Sequence, residues 1–361
     1  MLKSVKISGR TLTVPIIQGG MGVGISLSGL AGAVAKQGGM GVISAAHPGY
    51  NYPNFMTDAT NVNRQAIIDH VKKAKETACG NGMVAVNIMV AAREYDKMVA
   101  AAIDAGADAI ISGAGLPMAL PALTHGKDIL LAPIVSSGKA ARLIASAWDR
   151  RHGTVPDFVV VEGCLAGGHL GFRKEDLLAG SCETLEQILP AVQKELQSFR
   201  EKYGKEIPVF VAGGIFTGRD IAHFISLGAD GVQMGTRFIA TEECDADIRF
   251  KQAVVDCKKE DIAIVQSPTG FPGRAVMNRF MQKVKRRGNI SVQKCLECLT
   301  PCKPQDTPYC ISQALIQAAR GNVDNGLVFV GENAWKITEI TTVKRLMDEL
   351  VADANRTLQE I

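Results

Sequence analysis

The chain has 361 residues, enough for one large domain or two smaller ones, since a domain has roughly 100–200 residues. Hydrophobic residues make up 47% and charged residues 21% of it, a balance that excludes an intrinsically disordered chain. The net charge of +4 is too small to indicate a nucleic-acid-binding protein. The sequence predicts no membrane span, and its first ten residues lack the apolar segment of a signal peptide, so we expect a cytoplasmic protein that does not bind membranes.

Short apolar segments alternate with amphipathic ones along the first 240 residues. The eight predicted strands are 14–18, 41–44, 83–88, 109–112, 129–135, 158–162, 209–212 and 231–234. Six predicted helices fill most of the gaps, at 27–36, 63–76, 94–105, 139–147, 189–203 and 219–227. Continuously apolar strands that alternate with helices are typical of a parallel sheet covered on both faces. The pattern predicts an α/β fold, a (β/α)8 TIM barrel, with a doubly wound sheet as the alternative.

The alternation ends near residue 244, which divides the chain into three predicted parts. Residues 1–244 form the barrel, and residues 245–325 form a mostly helical C-terminal extension, in which we expect no regular strand and helix alternation before residue 320. Residues 326–361 return to the barrel with a strand at 326–330 and a helix at 342–360. The oligomeric state does not follow from the pattern, and a homodimer is one alternative.

Glycine-rich motifs follow three of the predicted strands. They are Gly20-Met21-Gly22 after the first strand, Gly213-Gly214 after the seventh, and Gly235-Thr236 after the eighth. One such turn alone is equally typical of an ordinary strand-to-helix connection. The loops after strands 7 and 8 of a barrel, however, commonly bind a phosphate group. The joint occurrence therefore favours phosphate binding there. Arg237 could add charge or form a structural salt bridge.

Two further side chains are candidates for chemistry at the same end of the barrel. His169 follows Gly167-Gly168 after the sixth strand, where an imidazole could exchange a proton near neutral pH or could merely cap a turn. His47 is the second candidate histidine, although the Pro-Gly pair after it indicates an ordinary turn. Asn87 ends the third strand, where its amide suits the edge of a planar ring or a turn cap.

In this order, the motifs PIIQGGM, VNIM, SGAG, EGCLAGGHLG, AGGI and MGTRF resemble the nitronate monooxygenase (2-nitropropane dioxygenase) family. That family includes FMN-dependent enoyl-acyl-carrier-protein reductases. The resemblance implies a barrel with FMN at the carboxyl ends of its strands and His169 as the catalytic residue. It also implies flavin contacts from Gly20, Met21, Gly22, Asn87, Glu162, Gly167 and Gly168, and phosphate contacts from Gly213, Gly214, Gly235 and Thr236. Members often carry an acid where this chain has Leu165, which puts that acid's polar contact in doubt.

Two chemistries are compatible with this resemblance. A nitronate monooxygenase oxidises alkyl nitronates with oxygen, and His169 would deprotonate a nitroalkane or polarise its nitro group. An enoyl-thioester reductase takes electrons from NAD(P)H, and an acyl carrier protein would then be a partner. A third alternative is a catalytically silent flavin- or metal-binding protein. The basic residues within 283–287 could meet an acidic carrier, but such a run is more often a solvated helix face.

Four of the nine cysteines lie within 16 positions, as Cys295-x2-Cys298-x3-Cys302-x7-Cys310. Such crowding in a cytosolic protein favours a metal site over disulfides. Thiolates at this spacing could bind zinc or a [4Fe–4S] cluster, and the start of the motif is similar to the cluster site of some flavin-dependent dienoyl reductases. The alternative is four free thiols in a helical hairpin.

Overall fold

A computed structural model of the chain, which describes residues 1–360, contains a closed barrel of eight parallel strands. Thirteen strands occur among these residues: β1 Val5–Ile7, β2 Arg10–Leu12, β3 Ile16–Gln18, β4 Met40–Ser44, β5 Met83–Met89, β6 Ala109–Gly113, β7 Leu130–Val135, β8 Val159–Glu162, β9 Gly168–His169, β10 Val209–Ala212, β11 Gly231–Met234, β12 Ile262–Gln266 and β13 Pro272–Val276. The barrel follows the order β3-β4-β5-β6-β7-β8-β10-β11 and closes between β11 and β3. The predicted TIM barrel is confirmed, and all eight predicted strands belong to it.

The barrel interior is a packed apolar core rather than a channel. Side chains such as Ile17, Met40 and Phe210 are fully buried inside it. The antiparallel hairpin of β1 and β2 covers this core with Ile7 and Leu12, which join the same cluster. Sequence reasoning missed the hairpin because its strands have three residues each, too few to show a period.

Helices connect most of the barrel strands and pack on the outside. They are α1 Ser28–Lys36, α2 Ala59–Ala78, α3 Tyr95–Asp104, α4 Leu120–Leu123, α5 Gly138–His152, α6 Lys174–Ala179, α7 Leu185–Tyr203, α8 Gly218–Ser226, α9 Thr236–Ile239, α10 Ile248–Val255, α11 Arg279–Arg287, α12 Ile311–Ala319 and α13 Val343–Glu360. Local signals explain several ends. Ser137 caps the start of α5 with its hydroxyl, and a left-handed Gly153 ends it. Among residues 1–360, no helix combines the length and apolarity needed to cross a bilayer.

The segment after the barrel contains a β-hairpin that we did not expect. Strands β12 and β13 pair antiparallel, and β13 also pairs with β9, which lies in the loop after barrel strand β8. The Pro-Thr-Gly-Phe-Pro-Gly sequence between them obscured the hairpin. The expected strand at 326–330 is reduced to one bridge, between Phe329 and Ala275. The hairpin therefore lies over the carboxyl ends of the barrel strands.

The C-terminal helix α13 returns to the barrel, as predicted. It packs along α8 and also contacts α1. The approach to α8 is close, because a Cβ on Gly218 would collide with the backbone of Leu350 and Ala354. The last ordered helix thus covers the outside of the final barrel units. The boundaries proposed at 244 and 325 remain predictions.

Candidate active site

A cavity of about 870 Å³ opens at the carboxyl ends of the barrel strands. The loops after the strands and the hairpin of β12 and β13 form its walls, joined by residues of the 294–299 and 329–333 segments. This volume lies within the range of about 300–1,000 Å³ that is usual for cofactor and ligand sites. All of the residues for which we predicted catalytic or flavin contacts line it.

The first glycine-rich loop lies against the end of β5. A Cβ on Gly20 would overlap the side chain of Asn87, so only glycine allows this approach. The Asn87 amide donates a hydrogen bond to the carbonyl of Ile111 at 3.3 Å, which fixes its orientation. The backbone N–H of Met21 donates to Ser26 Oγ at 2.8 Å. The predicted Gly20, Met21 and Asn87 are thus brought together on one wall.

The second and third glycine-rich loops follow the paired strands β10 and β11. They lie beside the first loop, because β11 also pairs with β3 and a Cβ on Gly235 would lie 3.4 Å from the sulfur of Met21. Gly213 and Gly214 both have positive φ, +98° and +86°, a conformation that suits glycine and turns consecutive N–H groups toward one concavity. Thr236 begins the short helix α9, and its hydroxyl accepts a hydrogen bond from the N–H of Gly331 at 2.9 Å. Gly213, Gly214 and Thr236, referred to below as the cradle, line the cavity and are among the residues predicted to contact a phosphate group.

The C-terminal segment supports this cradle, which sequence reasoning did not foresee in detail. The Asn333 amide donates to the carbonyl of Gly214 at 2.6 Å. Arg274, which is almost fully buried, pairs with Glu332 at 2.9 Å and donates to the carbonyls of Cys164 and Ala166. No local motif could reveal these contacts, because the partners are far apart along the chain, by 119 residues for Asn333 and Gly214.

Arg237, which was considered as a phosphate contact, instead has structural partners. Its guanidinium donates to the carbonyl of Phe216 at 3.2 Å and pairs with Glu349 of α13 at 3.1 Å. The same group lies over the Phe216 ring, 4.5 Å from its centre. The salt-bridge alternative is therefore the one that the structure supports.

His169 lies on β9, next to the predicted Gly167 and Gly168. Its Nε2 lies 2.9 Å from the hydroxyl of Ser267, and its ring packs edge-on against Phe329. Ser267 accepts hydrogen bonds from the N–H and hydroxyl of Thr269, so its own proton is free to go to His169. This network assigns the ring proton of His169 to Nδ1.

Burial shifts the two ionisable groups of this wall in opposite directions. It lowers the pKa of His169 to about 4 and raises the pKa of Glu162, at the end of β8, to about 8. Both side chains are therefore mostly uncharged at pH 7. The site can offer a neutral imidazole and a protonated carboxylic acid to a ligand.

The family of the chain follows from a comparison with known proteins. The family model described as nitronate monooxygenase matches residues 3–353. The chain belongs to this family. A probable nitronate monooxygenase of Bacillus subtilis is 25% identical over 94% of this chain and 96% of its own length. One of Staphylococcus haemolyticus is 36% identical, but over only 37% of this chain.

The first staphylococcal relatives are matched over only about a third of their length, 36% in the S. haemolyticus protein. Among solved structures, FabK from Thermotoga maritima has a TM-score of 0.72 and is 26% identical, over 96% of this chain and 94% of that one. At the position where members of the family often carry an acid, Leu165 is 43% exposed.

His47 lies in a network that we did not predict. His47 lies near the start of the loop after β4 and has a positive φ. Its imidazole is buried and lines the cavity. Its Nε2 lies 2.8 Å from Ser312 Oγ, and its Nδ1 lies 3.2 Å from the Asn63 amide nitrogen. Burial lowers its pKa to about 4. The Pro-Gly pair had suggested an ordinary turn, and no sequence signal points to its partners.

The predicted metal ligands are not arranged as a ready-made metal site. Among residues 1–360, no three His, Cys, Asp or Glu side chains converge closely enough to hold a metal ion. All four thiols are free, and Cys295 is exposed on a loop, whereas the other three are half-buried. They are nevertheless neighbours. Burial raises the pKa of Cys298 to about 11, the Ser312 hydrogen bond lowers it, and the charges of Cys310, Cys302 and Cys295 raise it.

Proposed function

We propose that the protein is an FMN-dependent oxidoreductase that oxidises alkyl nitronates with oxygen. The observation that carries this proposal is the meeting, in one cavity, of a phosphate-type cradle with a half-buried histidine. Gly213, Gly214 and Thr236 form the cradle, and His169 lies on β9 at the edge of the same cavity. Family membership supports the same conclusion.

The residues present fit FMN. The consecutive left-handed glycines supply N–H groups for a phosphate, and the N-terminus of α9 begins beside them. The absence of a side chain at Gly20 lets its backbone lie against Asn87, and both residues line the cavity beside the cradle. Bound there, the flavin would supply the electron-transfer chemistry, while the protein would supply placement and electrostatics.

His169 and Glu162 would then handle the substrate. The Nε2 of His169 is occupied by Ser267, so its Nδ1–H is the group left to donate to an oxygen of a nitro or nitronate group. With a pKa of about 4, His169 is a weak base, and orientation of the substrate is its better role. Glu162, with a pKa of about 8, is the group able to exchange a proton near neutral pH.

An NAD(P)H-dependent enoyl-thioester reductase is the second candidate. The cavity extends past the cradle to His47, Asn63 and the 294–299 segment, which leaves room for a second, longer ligand. The similarity to FabK runs along nearly the whole chain. Lys285, Arg286 and Arg287 are exposed on α11, where an acidic carrier protein could contact them.

The first experiment is an absorbance spectrum of the protein purified without oxygen. Flavin bands that bleach with an alkyl nitronate but persist with NADPH and NADH support the monooxygenase. Flavin bands that bleach with NADPH or NADH support the reductase instead. A protein that neither carries nor binds FMN would overturn both proposals.

The variant His169→Ala tests the assigned residue. We expect turnover to fall by roughly 10²-fold, the usual cost of losing a contact that positions the substrate. FMN should remain bound, because Thr236 and Gly214 of the cradle are held by Gly331 and Asn333 and not by His169. The matched control is His125→Ala, since His125 is exposed in a loop outside the cavity walls. Unchanged turnover in His169→Ala, with FMN bound, would contradict the role.

A further inference from the structure

A chain of hydrogen bonds runs from Gly49 to the sulfur of Cys298, and each group in it donates to the next. The N–H of Gly49 donates to Asn63 Oδ1 at 3.2 Å, so the amide turns its NH₂ toward His47 Nδ1, 3.2 Å away. His47 must then carry its proton on Nε2 and donate it to Ser312 Oγ, 2.8 Å away. The Ser312 hydroxyl in turn donates to Cys298 Sγ at 2.9 Å.

The sulfur is thus placed as an acceptor. The reverse direction, with Cys298 as donor, would need an acceptor at the far end of the chain, where Asn63 presents only N–H groups. A thiol sulfur accepts hydrogen bonds weakly, whereas a negatively charged thiolate accepts them strongly. Donors of this kind commonly surround the ligands of a bound metal.

The sulfur of Cys295 also accepts a hydrogen bond, whereas three cysteines outside the segment donate one. The N–H of Glu297, a residue with positive φ, donates to Cys295 Sγ at 3.3 Å. Outside the segment, Cys79, Cys244 and Cys257 each donate their S–H to a backbone carbonyl, at 3.3, 3.4 and 3.4 Å. Acceptor sulfurs therefore distinguish the four-cysteine segment from these ordinary thiols.

The rest of the fold holds the four-cysteine segment, residues 295–310, near two of its cysteines, Cys298 and Cys310. The backbone of Cys298 accepts a hydrogen bond from the N–H of Arg93, and Leu299 pairs with Ala92 on the rim of the barrel. Cys310 precedes α12, the helix that also carries Ser312. Cys298 and Cys310 are thus held by the fold, whereas Cys295 is exposed on the loop that precedes Cys298.

We propose that Cys295, Cys298, Cys302 and Cys310 bind one thiolate metal centre, a zinc ion or a ready-made [4Fe–4S] cluster, and that Ser312 donates to the sulfur of Cys298 in that centre. Since no three of these thiols yet converge at bonding distance, binding draws Cys295 and Cys302 toward the two anchored thiols. For zinc, four S–H bonds break, four sulfur–zinc bonds replace bonds to water, and four protons go to solvent. For a cluster delivered by a carrier, four sulfur–iron bonds replace those to the carrier's thiolates, which take up the four protons, and no oxidation state changes in either case. The centre would lie in the wall of the cavity that holds the proposed FMN site.

The test measures zinc, iron and acid-labile sulfide in the full-length protein purified without oxygen, followed by titration with Zn²⁺ of any protein that carries neither metal. We expect about one zinc, or about four iron and four sulfide, per chain. The variants Cys298→Ser and Cys310→Ser should lose the metal, and Cys79→Ser, which changes an exposed thiol outside the segment, should keep it. The iron and sulfide content distinguishes the cluster from zinc.

Ser312→Ala tests the role of the hydrogen-bond chain. We expect the variant to bind one zinc ion per chain with roughly 10- to 100-fold lower affinity, the usual effect of losing an outer partner of a ligand. Bound FMN reports that each variant is folded. A variant that loses FMN but keeps its metal would count against the proposed function and not against the metal site. Wild-type protein that contains neither metal and binds no added Zn²⁺ would overturn the proposal, as would undiminished metal in both cysteine variants.

Discussion

Burial lowers the pKa of His169 and raises the pKa of Glu162, so neither side chain carries a charge near pH 7. Transfer from water disfavours the charged form of any group, so His169 becomes a weaker base and Glu162 a weaker acid. Neither side chain forms an ion pair in the structure. The cavity therefore offers a neutral imidazole and a protonated carboxyl, each able to donate a hydrogen bond to a ligand.

The raised pKa of Glu162 also predicts a pH dependence of stability. A carboxyl with a pKa of about 8 in the folded chain and about 4.3 unfolded stabilises the fold fully only below the lower value. This contribution is lost as the pH rises through about 8. We therefore expect Glu162→Gln, which cannot ionise, to become increasingly more stable than wild type from pH 5 to pH 8, by at most roughly 1.4 kcal/mol per pH unit. Urea unfolding at pH 5, 7 and 9 measures this difference, and a difference that stays constant with pH would contradict it.

At the scale of elements, the phosphate cradle depends on backbone shape more than on side chains. Gly213 has a φ of +98°, and a Cβ there would lie 2.9 Å from the carbonyl oxygen of Gly163. The tail holds the neighbouring Gly214 through Asn333. A change at Gly213 should therefore affect the ligand before it affects the fold.

We expect Gly213→Ala to lower the affinity for FMN roughly tenfold or more, since the left-handed conformation alone costs about 1–2 kcal/mol for alanine. The matched control is Gly126→Ala. Gly126 has a φ of +71°, but a Cβ there meets no atom within 4 Å, and the residue is outside the cavity walls. Titration of the two apoproteins with FMN compares them, and equal affinities would show that the cradle does not contact the ligand.

At the scale of the whole molecule, the barrel could be predicted from the sequence, because most of its strands are continuous apolar segments that alternate with helices. The same reasoning located Gly213, Gly214, Thr236 and His169 at one rim, because parallel strands end on the same side. It could not locate Ser267 or Asn333, whose importance arises only from contacts between distant segments. His47 was undervalued because its local sequence resembles a turn, and the hairpin of β12 and β13 was missed because glycine and proline interrupt it.

The C-terminal helix should contribute to the stability of the whole barrel rather than only to its own end of the chain. Leu350 is fully buried in α13, where the helix crosses α8. We expect Leu350→Ala to lower the free energy of unfolding by about 2–5 kcal/mol in a single cooperative transition. The control Leu178→Ala removes a side chain that is 65% exposed on α6 and should cost less than about 0.5 kcal/mol. A separate early transition in Leu350→Ala, seen by urea unfolding, would show that α13 unfolds independently.

The cavity draws its walls from both ends of the chain, from Gly20 near the start to Asn333 near the finish. During synthesis, the ribosome therefore has to release almost the entire polypeptide before the cradle gains its support from the tail. If the protein binds FMN as we propose, it would bind the cofactor after synthesis of the chain and not during it. A chain that stops before residue 331 would lack the partners of Thr236 and Gly214, so retention of flavin would distinguish complete molecules from truncated ones.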